Sequence, residues 1–479
     1  MILGYRVAQV RAAEQRAIDE VGAEVLMQRA AAGLATAVLR RLPSWTRRQR
    51  CYGARVLLLL GSGNNGGDAL YAGVRLARRG VAVLAWRVGP TVHDAGWAAL
   101  MAAGGREVDA AAARALLGRV DAVIDGVAGI GSRPGLSDEV ADFAAACTRD
   151  RVPVVAVDLP SGLAPEPPFT DAPHVVADLT VTFGGLKLCQ LMEPARSACG
   201  EIELVDIGLE FDEPAVRQWT PQDVWDCLPV PDARSDKYSR GVVGLNTGSA
   251  DYPGAAVLGA AGASHAGAGM IRYLGPSSVA TRVTDRFPNV VTAAGRVQSI
   301  VVGSGWGDAP RGSLVAESVA AGQPLVIDAD ALRLVPERGH EQVLLTPHAG
   351  ELAYLLRIER AEVMADPIAA VRRASEKTGC VVLLKGATQY LAVPGRDVVE
   401  VAVPGPAWTA QAGSGDVLAG IAGALLAAGL DARSAGLAAA SIQAMLATQR
   451  PGPVPPQELV AGLAELLAGR RDRSVSRHC

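Results

Sequence analysis

Short runs of aliphatic residues recur along the chain, and longer stretches with helical spacing separate them. In the first half these runs occupy residues 56–60, 81–86, 121–125, 152–158 and 179–183. Strands that are covered on both faces by helices are apolar almost throughout, and this is the pattern of a parallel sheet. A helical stretch at 68–80 ends at Gly80, the residue type most often found just beyond a helix. The first half is therefore predicted to be a doubly wound α/β sheet, preceded by a helical arm.

A second series of the same kind fills the other half of the 479-residue chain. One hydrophobic core rarely serves a chain of this length, so two α/β domains are expected. The second set of apolar runs is 242–246, 299–303, 324–328, 343–347, 381–386 and 389–393, and helices are predicted at 416–429 and 433–448. We predict domains at 1–210 and 236–470, a linker rich in Pro, Asp and turn residues at 211–235, and a polar, basic tail at 471–479.

The overall composition narrows the classes of partner. A formal net charge of −3 gives no electrostatic basis for binding nucleic acid. No apolar run has the ~18 residues needed to span a membrane, and the N-terminus carries charges where a signal peptide would be apolar. The seven cysteines form no CxxC pair, which disfavours a disulfide framework and a structural zinc site. We expect a cytoplasmic protein that acts on small molecules, with no nucleic acid and no membrane as partner, and a homo-oligomer remains possible.

The sequence GSGNNGGD at 61–68 follows the first predicted strand and opens the next helix. Gly61, Gly63 and Gly66 match the dinucleotide pattern GxGxxG of Rossmann-like folds, although a single match is a weak signal. The neighbouring strand lacks the acidic residue that binds a ribose hydroxyl in such cofactor sites. Asp68 would repel a bound pyrophosphate, so it is better suited to contact hydroxyl groups or to lie near a cation. Capping of the helix by Asp68 is the alternative interpretation.

Two further acidic residues end predicted strands of the first half. Asp125 is followed by the glycine-containing loop 126–135, and Asp158 is followed by Leu-Pro-Ser-Gly-Leu. Open α/β sheets bind their ligands at the carboxyl ends of the strands. Either aspartate alone could simply form a turn, but two of them beside a glycine-rich loop favour a ligand site.

The second half carries three polar motifs of the same kind. GSGD at 413–416 places backbone N–H groups at the start of an alanine-rich helix, which is typical of an anion site. Asp416 lies where a phosphate would bind, and it fits a base that removes a hydroxyl proton before phosphoryl transfer. KGATQ at 385–389 offers a lysine and backbone donors to a nucleotide, and TPHAGE at 346–351 places His348 near the same edge. Each motif could be a helix cap or a strand end, but all three together favour a site.

The motifs of the first half resemble the N-terminal epimerase domain of the NAD(P)H-hydrate repair enzymes, over residues 5–210. The resemblance implies that Asp158 is the acid–base group of epimerisation and that Asn65, Asp125 and Ser161 hold a potassium ion. The contacts that it implies to the hydrated nucleotide are Asn64, Asn65, Gly66, Gly67, Asp68, Gly129, Ile130, Gly131, Ser132, Arg133, Pro134, Gly135 and Asp158.

Two residues of the first half depart from the pattern of that family. Ala69 stands where a glycine is usual, and Arg29 stands where an asparagine is usual. At these positions a larger side chain could crowd or cover the pocket.

The second half resembles the ribokinase-like fold and, within it, the ADP-dependent NAD(P)H-hydrate dehydratase, over residues 235–470. The resemblance is carried by GSGD together with the segments 237–241, 252–256, 267–271, 302–307, 328–332 and 346–351. It implies that Asp416 is the catalytic base and that ADP is the co-substrate, accompanied by magnesium. The implied contacts to the hydrate are Ala255, Gly305, His348 and Asp416, and those to ADP are Lys385, Gly386, Ala387, Thr388, Gln389 and Gly415.

Together the two resemblances imply the repair of NADH and NADPH that have gained water at C6 of the nicotinamide ring. The first domain would interconvert the R and S hydrates, and the second would dehydrate the S hydrate with ADP, releasing AMP and phosphate. A ribokinase-type small-molecule kinase, with a first domain that binds a nucleotide without catalysis, is the alternative. Arg29 keeps this alternative open for the first domain.

Overall fold

A computed structural model describes residues 1–47, 49–308, 311–336 and 338–468. The tail predicted at 471–479 lies outside the described residues. Internal contacts divide the chain into two compact units, Leu3–Ala215 and a second one formed by Met1–Ile2 with Val216–Cys479. We call Leu3–Ala215 the N-terminal unit and the other the C-terminal unit. Among the described residues there is no helix with both the length and the apolar character that a membrane span requires.

The first part of the chain alternates strands and helices, as the apolar runs predict. The strands are β1 (Ile2–Tyr5), β2 (Arg55–Leu60), β3 (Ala82–Arg87), β4 (Arg106–Val108), β5 (Ala122–Gly126), β6 (Val154–Val157), β7 (Leu179–Phe183), β8 (Leu186–Lys187) and β9 (Glu201–Val205). The helices are α1 (Val7–Val21), α2 (Ala23–Trp45), α3 (Asn64–Ala77), α4 (Asp94–Ala102), α5 (Ala110–Leu116) and α6 (Asp138–Asp150).

These elements form a seven-stranded parallel sheet in the order β4-β3-β2-β5-β6-β7-β9, while β1 pairs with β8 outside it. The side chains of β2 beyond Arg55 are buried on both faces, and the next two strands in the sheet, β5 and β6, are apolar except for Asp125. One buried cluster includes residues of α2 and α3, and another includes residues of α5 and α6. The predicted α/β fold of this part is confirmed.

The second part of the chain repeats the alternation with more elements. Its strands are β10 (Val216–Gln218), β11 (Val242–Asn246), β12 (Met270–Tyr273), β13 (Val290–Val291), β14 (Ser299–Val302), β15 (Leu325–Ile327), β16 (Val343–Leu345), β17 (Val381–Leu384), β18 (Tyr390–Ala392) and β19 (Val399–Val401). Its helices are α7 (Pro221–Cys227), α8 (Pro253–His265), α9 (Ser277–Arg286), α10 (Gly312–Ala320), α11 (Ala349–Leu356), α12 (Arg360–Ala365), α13 (Pro367–Thr378), α14 (Ser414–Ala427), α15 (Ala432–Gln449) and α16 (Pro456–Ala461).

In the C-terminal unit the strands follow the order β13-β12-β11-β14-β15-β16-β17-β18-β19-β10. The strands from β13 to β17 are parallel, and β18 is antiparallel to both of its neighbours. The alanine-rich helices α14 and α15 are buried almost throughout, because small side chains allow close approach to the sheet and to α8. The predicted α/β class of this part is confirmed as well.

Part of the stretch predicted as a linker forms regular structure, namely β10 and α7. Val216 and Trp219 are buried there. Thr220 and Asp223 form a capping box, in which the Thr220 N–H donates to Asp223 Oδ2 at 2.8 Å. The Thr, Pro and Asp residues that suggested a loop therefore begin a helix, since these residue types are also favoured in the first turn.

Candidate active sites

The strand order of the N-terminal unit reverses between β2 and β5, and such a switch point leaves a crevice at the carboxyl ends of the strands. The chain leaves β2 and enters α3 at Asn64, so residues 64–68 occupy the first turns of the helix rather than a loop. Gly63 precedes the helix, and no side chain caps it. The alternative interpretation of Asp68 as a helix cap is therefore wrong.

Two glycines of this segment are required by close packing of the backbone. A Cβ added to Gly61 would lie 1.8 Å from the carbonyl oxygen of Val127, and one added to Gly66 would lie 2.2 Å from the carbonyl oxygen of Gly61. Any side chain at either position would displace the chain. The glycines thus hold the start of α3 against the segment that follows β5.

The three residues predicted to bind potassium lie close together, next to this segment. The N–H of Ser161 donates to Asp125 Oδ2 at 2.8 Å, and its hydroxyl donates to Asp125 Oδ1 at 2.6 Å. The Ala128 N–H donates to the Ser161 hydroxyl at 2.8 Å, and Asn65 Nδ2 donates to the Val157 carbonyl at 2.6 Å. Burial raises the pKa of Asp125, and the hydrogen bonds from Ser161 oppose this shift. No Lys or Arg of the described residues forms an ion pair with this carboxyl group.

Asp158 directly follows β6 and is held in an uncommon backbone conformation, with φ of 68°. Its Oδ1 atom accepts hydrogen bonds from the Thr182 hydroxyl at 3.1 Å and the Phe183 N–H at 3.3 Å, and it forms an ion pair with Lys187. Lys187 is 1% exposed, and its ammonium also donates to Thr182 Oγ1 at 3.0 Å and to the Phe183 carbonyl at 3.3 Å. Gln190 donates to the Asp158 carbonyl at 2.7 Å. In the described part of the chain no donor reaches Asp158 Oδ2, which leaves this oxygen for a ligand.

Asp68 has the opposite surroundings. It is 6% exposed, and within the described ranges its carboxyl group has neither a hydrogen bond nor an ion pair. Burial raises the pKa of Asp68 well above its usual value, and the nearby carboxylates of Asp158 and Glu14 raise it further. Glu14 lies on α1, and burial followed by Asp158 raises its pKa also, while Lys187 and Arg11 lower it. Three carboxyl groups therefore share this end of the sheet with one buried ammonium.

The predicted loop 129–135 borders the same crevice. The N–H of Gly135 donates to the Gly162 carbonyl at 2.9 Å, which ties the loop to the segment after Asp158. A Cβ added to Gly129 would lie 2.5 Å from Asn65 Oδ1. Residues 131–134 are exposed, so their side chains and backbone are open to a ligand.

Both departures from the family pattern contact other parts of the protein. Arg29 donates from Nη1 to the Ile207 carbonyl at 2.8 Å. Ala69 is fully buried and belongs to the hydrophobic cluster that α3 forms with β2. Ala69 has no exposed surface with which to crowd a ligand, so that expectation is wrong, while the expectation that Arg29 covers the pocket stays a prediction.

The strand order of the C-terminal unit also reverses, between β11 and β14, and the predicted residues gather at this end of its sheet. Asp328 directly follows β15 and is buried, with Lys385 Nζ at 2.6 Å from Oδ1. The hydroxyl groups of Ser304 and Thr346 donate to its two oxygens at 2.9 Å and 2.8 Å. Burial alone would raise the pKa of Asp328, but Lys385 and the hydroxyl groups lower it overall.

GSGD forms the start of α14, as predicted, with Gly413 at φ of 91° immediately before the helix. Burial raises the pKa of Asp416 to about 6, and the charge of Asp328 adds to this effect while Lys385 opposes it. A Cβ added to Gly415 would lie 3.2 Å from Lys385 Nζ. Lys385 thus lies between a fully satisfied carboxylate, Asp328, and the segment that carries Asp416.

The remaining predicted residues of this unit lie around the same edge. His348 forms a parallel β-bridge with Lys385, and its Nδ1 accepts the N–H groups of Gly350 and Glu351 at 3.0 Å and 3.1 Å. A Cβ added to Gly305 would lie 2.6 Å from the Cβ of Ala255, so these two residues are neighbours. In the segment 386–389, Gly386 and Ala387 are exposed and Thr388 is buried.

Sequence reasoning missed three charged residues of these sites: Glu14, Lys187 and Asp328. Asp328 ends an apolar run, as Asp125 and Asp158 do, so the same signal was available for it. Lys187 stands within GGLKLCQLM, where a charged residue in apolar surroundings indicates a buried ion pair but not its partner. Glu14 lies in a charged amphipathic helix and has no distinguishing signal.

Comparisons with known proteins agree with both parts of this description. A family described as "YjeF-related protein N-terminus" matches residues 23–189, and one described as "NAD(P)H-hydrate dehydratase" matches residues 243–460. The chain is 41% identical over 444 residues to the bifunctional NAD(P)H-hydrate repair enzyme Nnr of Mycobacterium leprae, covering 90% of each chain. It is 32% identical over 394 residues to the protein of the same name from Escherichia coli, covering 77% of this chain and 76% of that protein.

Among solved structures, the ADP/ATP-dependent NAD(P)H-hydrate dehydratase from Bacillus subtilis, co-crystallized with ATP and Mg2+, is similar to the second half of the chain. The two are 26% identical, with a TM-score of 0.50, and the similarity covers 53% of this chain and 98% of that one.

Proposed function

The chain belongs to the family of bifunctional NAD(P)H-hydrate repair enzymes, and on this premise we propose how its residues carry the two reactions. The protein repairs hydrated NADH and NADPH. Its N-terminal part is the epimerase, and its C-terminal part is the ADP-dependent dehydratase. We infer the residues of each reaction from their contacts, burial and charge.

Asp416 is the base of the dehydration. It removes the proton of the C6 hydroxyl as that oxygen attacks the terminal phosphoryl group of ADP, and AMP leaves. The C6–O bond then breaks with help from the ring nitrogen lone pair, phosphate departs, and loss of a proton from C5 restores the dihydronicotinamide. The observation that carries this role is the pKa of about 6, because such a carboxyl group is ionised at neutral pH yet basic enough to accept a proton.

Charge that develops during phosphoryl transfer needs fixed donors nearby. The N–H groups at the start of α14, from Gly413 to Gly415, and the Lys385 ammonium are placed to supply them. Residues 385–389 and Gly415 would bind ADP, and the hydrate would contact Asp416 together with Ala255, Gly305 and His348.

Magnesium fits this site as a companion of the nucleotide. Within the described residues no group of three His, Cys, Asp or Glu side chains is arranged to hold a metal ion. Magnesium is commonly held by substrate phosphates with one or two carboxylates, so it would enter bound to the nucleotide. It would supply positive charge to the transferred phosphoryl group.

Asp158 is the acid–base group of the epimerisation, acting through Oδ2 while Oδ1 is fixed by Lys187 and Thr182. The hydrated nucleotide would lie against residues 64–68 and 129–135.

Potassium fits the group Asn65, Asp125 and Ser161, because the buried Asp125 carboxyl group has oxygen neighbours and, within the described residues, lacks a cationic side chain. The ion would supply the positive countercharge that no side chain gives to this carboxylate within the described residues, and it would hold the segment after β5 in place.

An assay of NADH-hydrate repair with ADP, with ATP and with neither tests the proposal. We expect the absorbance of NADH to return only with a nucleotide, and the R hydrate to yield the S hydrate without one. Asp158→Asn should slow the conversion of R to S and leave dehydration of the pure S hydrate intact. A stable phosphorylated product would instead support the small-molecule kinase.

A further inference from the structure

We propose that Asp68 is a second catalytic residue of the epimerase site and that, with Asp158, it opens and recloses the ring of the hydrate between C6 and N1. The inference rests on the epimerase function proposed above and adds a proton donor and a reaction path to it. It follows from the contrast between two carboxyl groups at one end of the N-terminal sheet.

The first observation is the position of Asp68. It lies one turn beyond Asn65 on α3, and Asn65 is bound to the Val157 carbonyl, next to Asp158 in the chain. The start of α3 is thus fastened to the residue that precedes the proposed base. Asp68 is 6% exposed, and no hydrogen bond or ion pair of the described residues satisfies its carboxyl group. A buried carboxyl group without a partner is costly, so its retention at this place indicates a role toward a ligand.

The second observation is the charge around the two groups. Asp158 is paired with the buried ammonium of Lys187, so its carboxyl group has a cation in direct contact. The charged groups that act on Asp68 are the carboxylates of Asp158 and Glu14, and together with burial they raise the pKa of Asp68 well above its usual value. Arg11 and Lys187 act on Glu14 instead. A carboxyl group in contact with a cation and a neighbouring one that has only carboxylates around it are suited to act as base and acid.

These two groups are sufficient for a balanced ring opening. Asp158 takes the proton of the C6 hydroxyl, the C6=O bond forms, and the C6–N1 bond breaks as N1 receives the proton of Asp68. The product is an open-chain aldehyde that carries an N–H group. Rotation about C5–C6 presents the other face of the carbonyl, N1 attacks C6, its proton returns to Asp68, and the oxygen regains its proton from Asp158. No other reactant is consumed.

The alternative path loses the hydroxyl as water and adds a solvent water to the other face of C6. In that path Asp68 protonates the leaving hydroxyl, and Asp158 takes a proton from the entering water. Each turnover would end with Asp68 ionised beside Glu14, and with Asp158 protonated beside Lys187. Burial and the neighbouring carboxylates disfavour the ionised form of Asp68 in that state. Ring opening returns each proton to its origin, so the structure favours it.

The test uses the full-length protein without ADP and the R hydrate carrying ¹⁸O at C6, in ordinary water. We expect the S hydrate to form faster than the spontaneous rate and to retain its ¹⁸O, because the same oxygen stays on C6. Replacement of the label by solvent oxygen would overturn the ring opening. This measurement uses the wild-type protein and does not depend on how a variant folds.

Asp68→Asn tests the proton donor, since the amide has the same shape but no transferable proton. We expect kcat for epimerisation to fall by on the order of 10²-fold or more, with a smaller change in KM. Asp150→Asn, an exposed aspartate at the end of α6, is the matched control and should keep the wild-type rate. A wild-type kcat in Asp68→Asn would overturn the role of Asp68. Absence of any acceleration by the wild-type protein would instead refute the epimerase function itself.

Discussion

The two units build their sites from the same parts. Each has a strand-ending aspartate paired with a buried or half-buried lysine: Asp158 with Lys187, and Asp328 with Lys385. Each also has an aspartate on the helix that follows a glycine loop, and in the described residues neither of these forms an ion pair: Asp68 in α3, and Asp416 in α14.

The two units differ in whether the lysine also lowers the pKa of the helix aspartate. Burial and Asp328 raise the pKa of Asp416 to about 6 while Lys385 opposes this rise, which suits Asp416 to the proposed role of base. Among the described residues no cation has this effect on Asp68, whose neighbours are two carboxylates, so its pKa lies well above its usual value. One arrangement of strand, glycine loop and helix thus suits either a base or an acid, depending on the charges around the second aspartate.

Asp416→Asn should have the largest effect. We expect dehydration of the S hydrate to fall by about 10²–10⁴-fold, because the amide cannot accept the hydroxyl proton, while nucleotide binding and epimerisation persist. Measuring kcat for both reactions on the same preparation checks this. Dehydration at the wild-type rate would show that Asp416 and Asp68 do not differ in role as proposed.

The same substitution should stabilise the protein. The pKa of Asp416 is about 6 in the fold against a usual value of 3.8, so the fold favours the protonated form. This contribution to stability is complete below about pH 4 and is lost as the pH rises through about 6. At neutral pH the ionised group costs at most about 3 kcal/mol, which Asn would remove. Chemical denaturation at pH 7.5 and at about pH 4 should show the gain only at the higher pH.

The two lysines offer a direct test of the pairing. Lys187→Met leaves the buried Asp158 without its cation, and we expect a loss of about 3–5 kcal/mol in the free energy of unfolding. Lys385→Met should cost less, because the Lys385 side chain is 19% exposed against 1% for Lys187. Urea denaturation of both variants measures the difference. Equal losses would contradict the view that the N-terminal pair is the more deeply buried one.

The pH dependence of dehydration tests whether Lys385 and Asp328 set the pKa of Asp416. Because Asp416 must be ionised to act, kcat should fall about tenfold per pH unit below about pH 6. The charged groups that act on the pKa of Asp416 are Asp328, which raises it, and Lys385, which lowers it. Lys385→Met should therefore move the fall in kcat to higher pH. An acid limb near pH 4 would mean that the site does not raise the pKa of Asp416.

Arg29→Ala should have the smallest effect. It removes the hydrogen bond to the Ile207 carbonyl, for which we expect a loss of about 1 kcal/mol in stability. The KM for epimerisation should not change, because the guanidinium is bound to the chain after β9. A large change in KM would place Arg29 in the pocket after all.

Much of the fold was predictable because buried parallel strands are apolar runs, and the strands β2, β5, β6 and β15 stand out for this reason. The start of α3 was not, because Asn and Gly have low helix propensity in general but are tolerated in a first turn. β10 and α7 were hidden in a segment whose Pro and Asp residues suit a loop and a helix start equally well.

The sites were predictable to the extent that their residues end strands or open helices. Asp158 and Asp416 were found in this way. The ion pairs were not, because Asp158 and Lys187 are 29 residues apart and Asp328 and Lys385 are 57 apart. A single sequence does not show which distant charged residues are in contact, and these contacts set the electrostatic surroundings of each carboxyl group.

His348 shows that backbone geometry can select a tautomer. Its Nδ1 lone pair already accepts two N–H groups at the start of α11, and a proton on that atom would break both bonds. The ring hydrogen is therefore directed to Nε2, on an imidazole whose side chain is 61% exposed. Nε2 lies 3.5 Å from Glu351 Oε1, so the ring hydrogen is directed toward that carboxylate. Helix initiation in this fold thus fixes the hydrogen-bond polarity of the His348 ring.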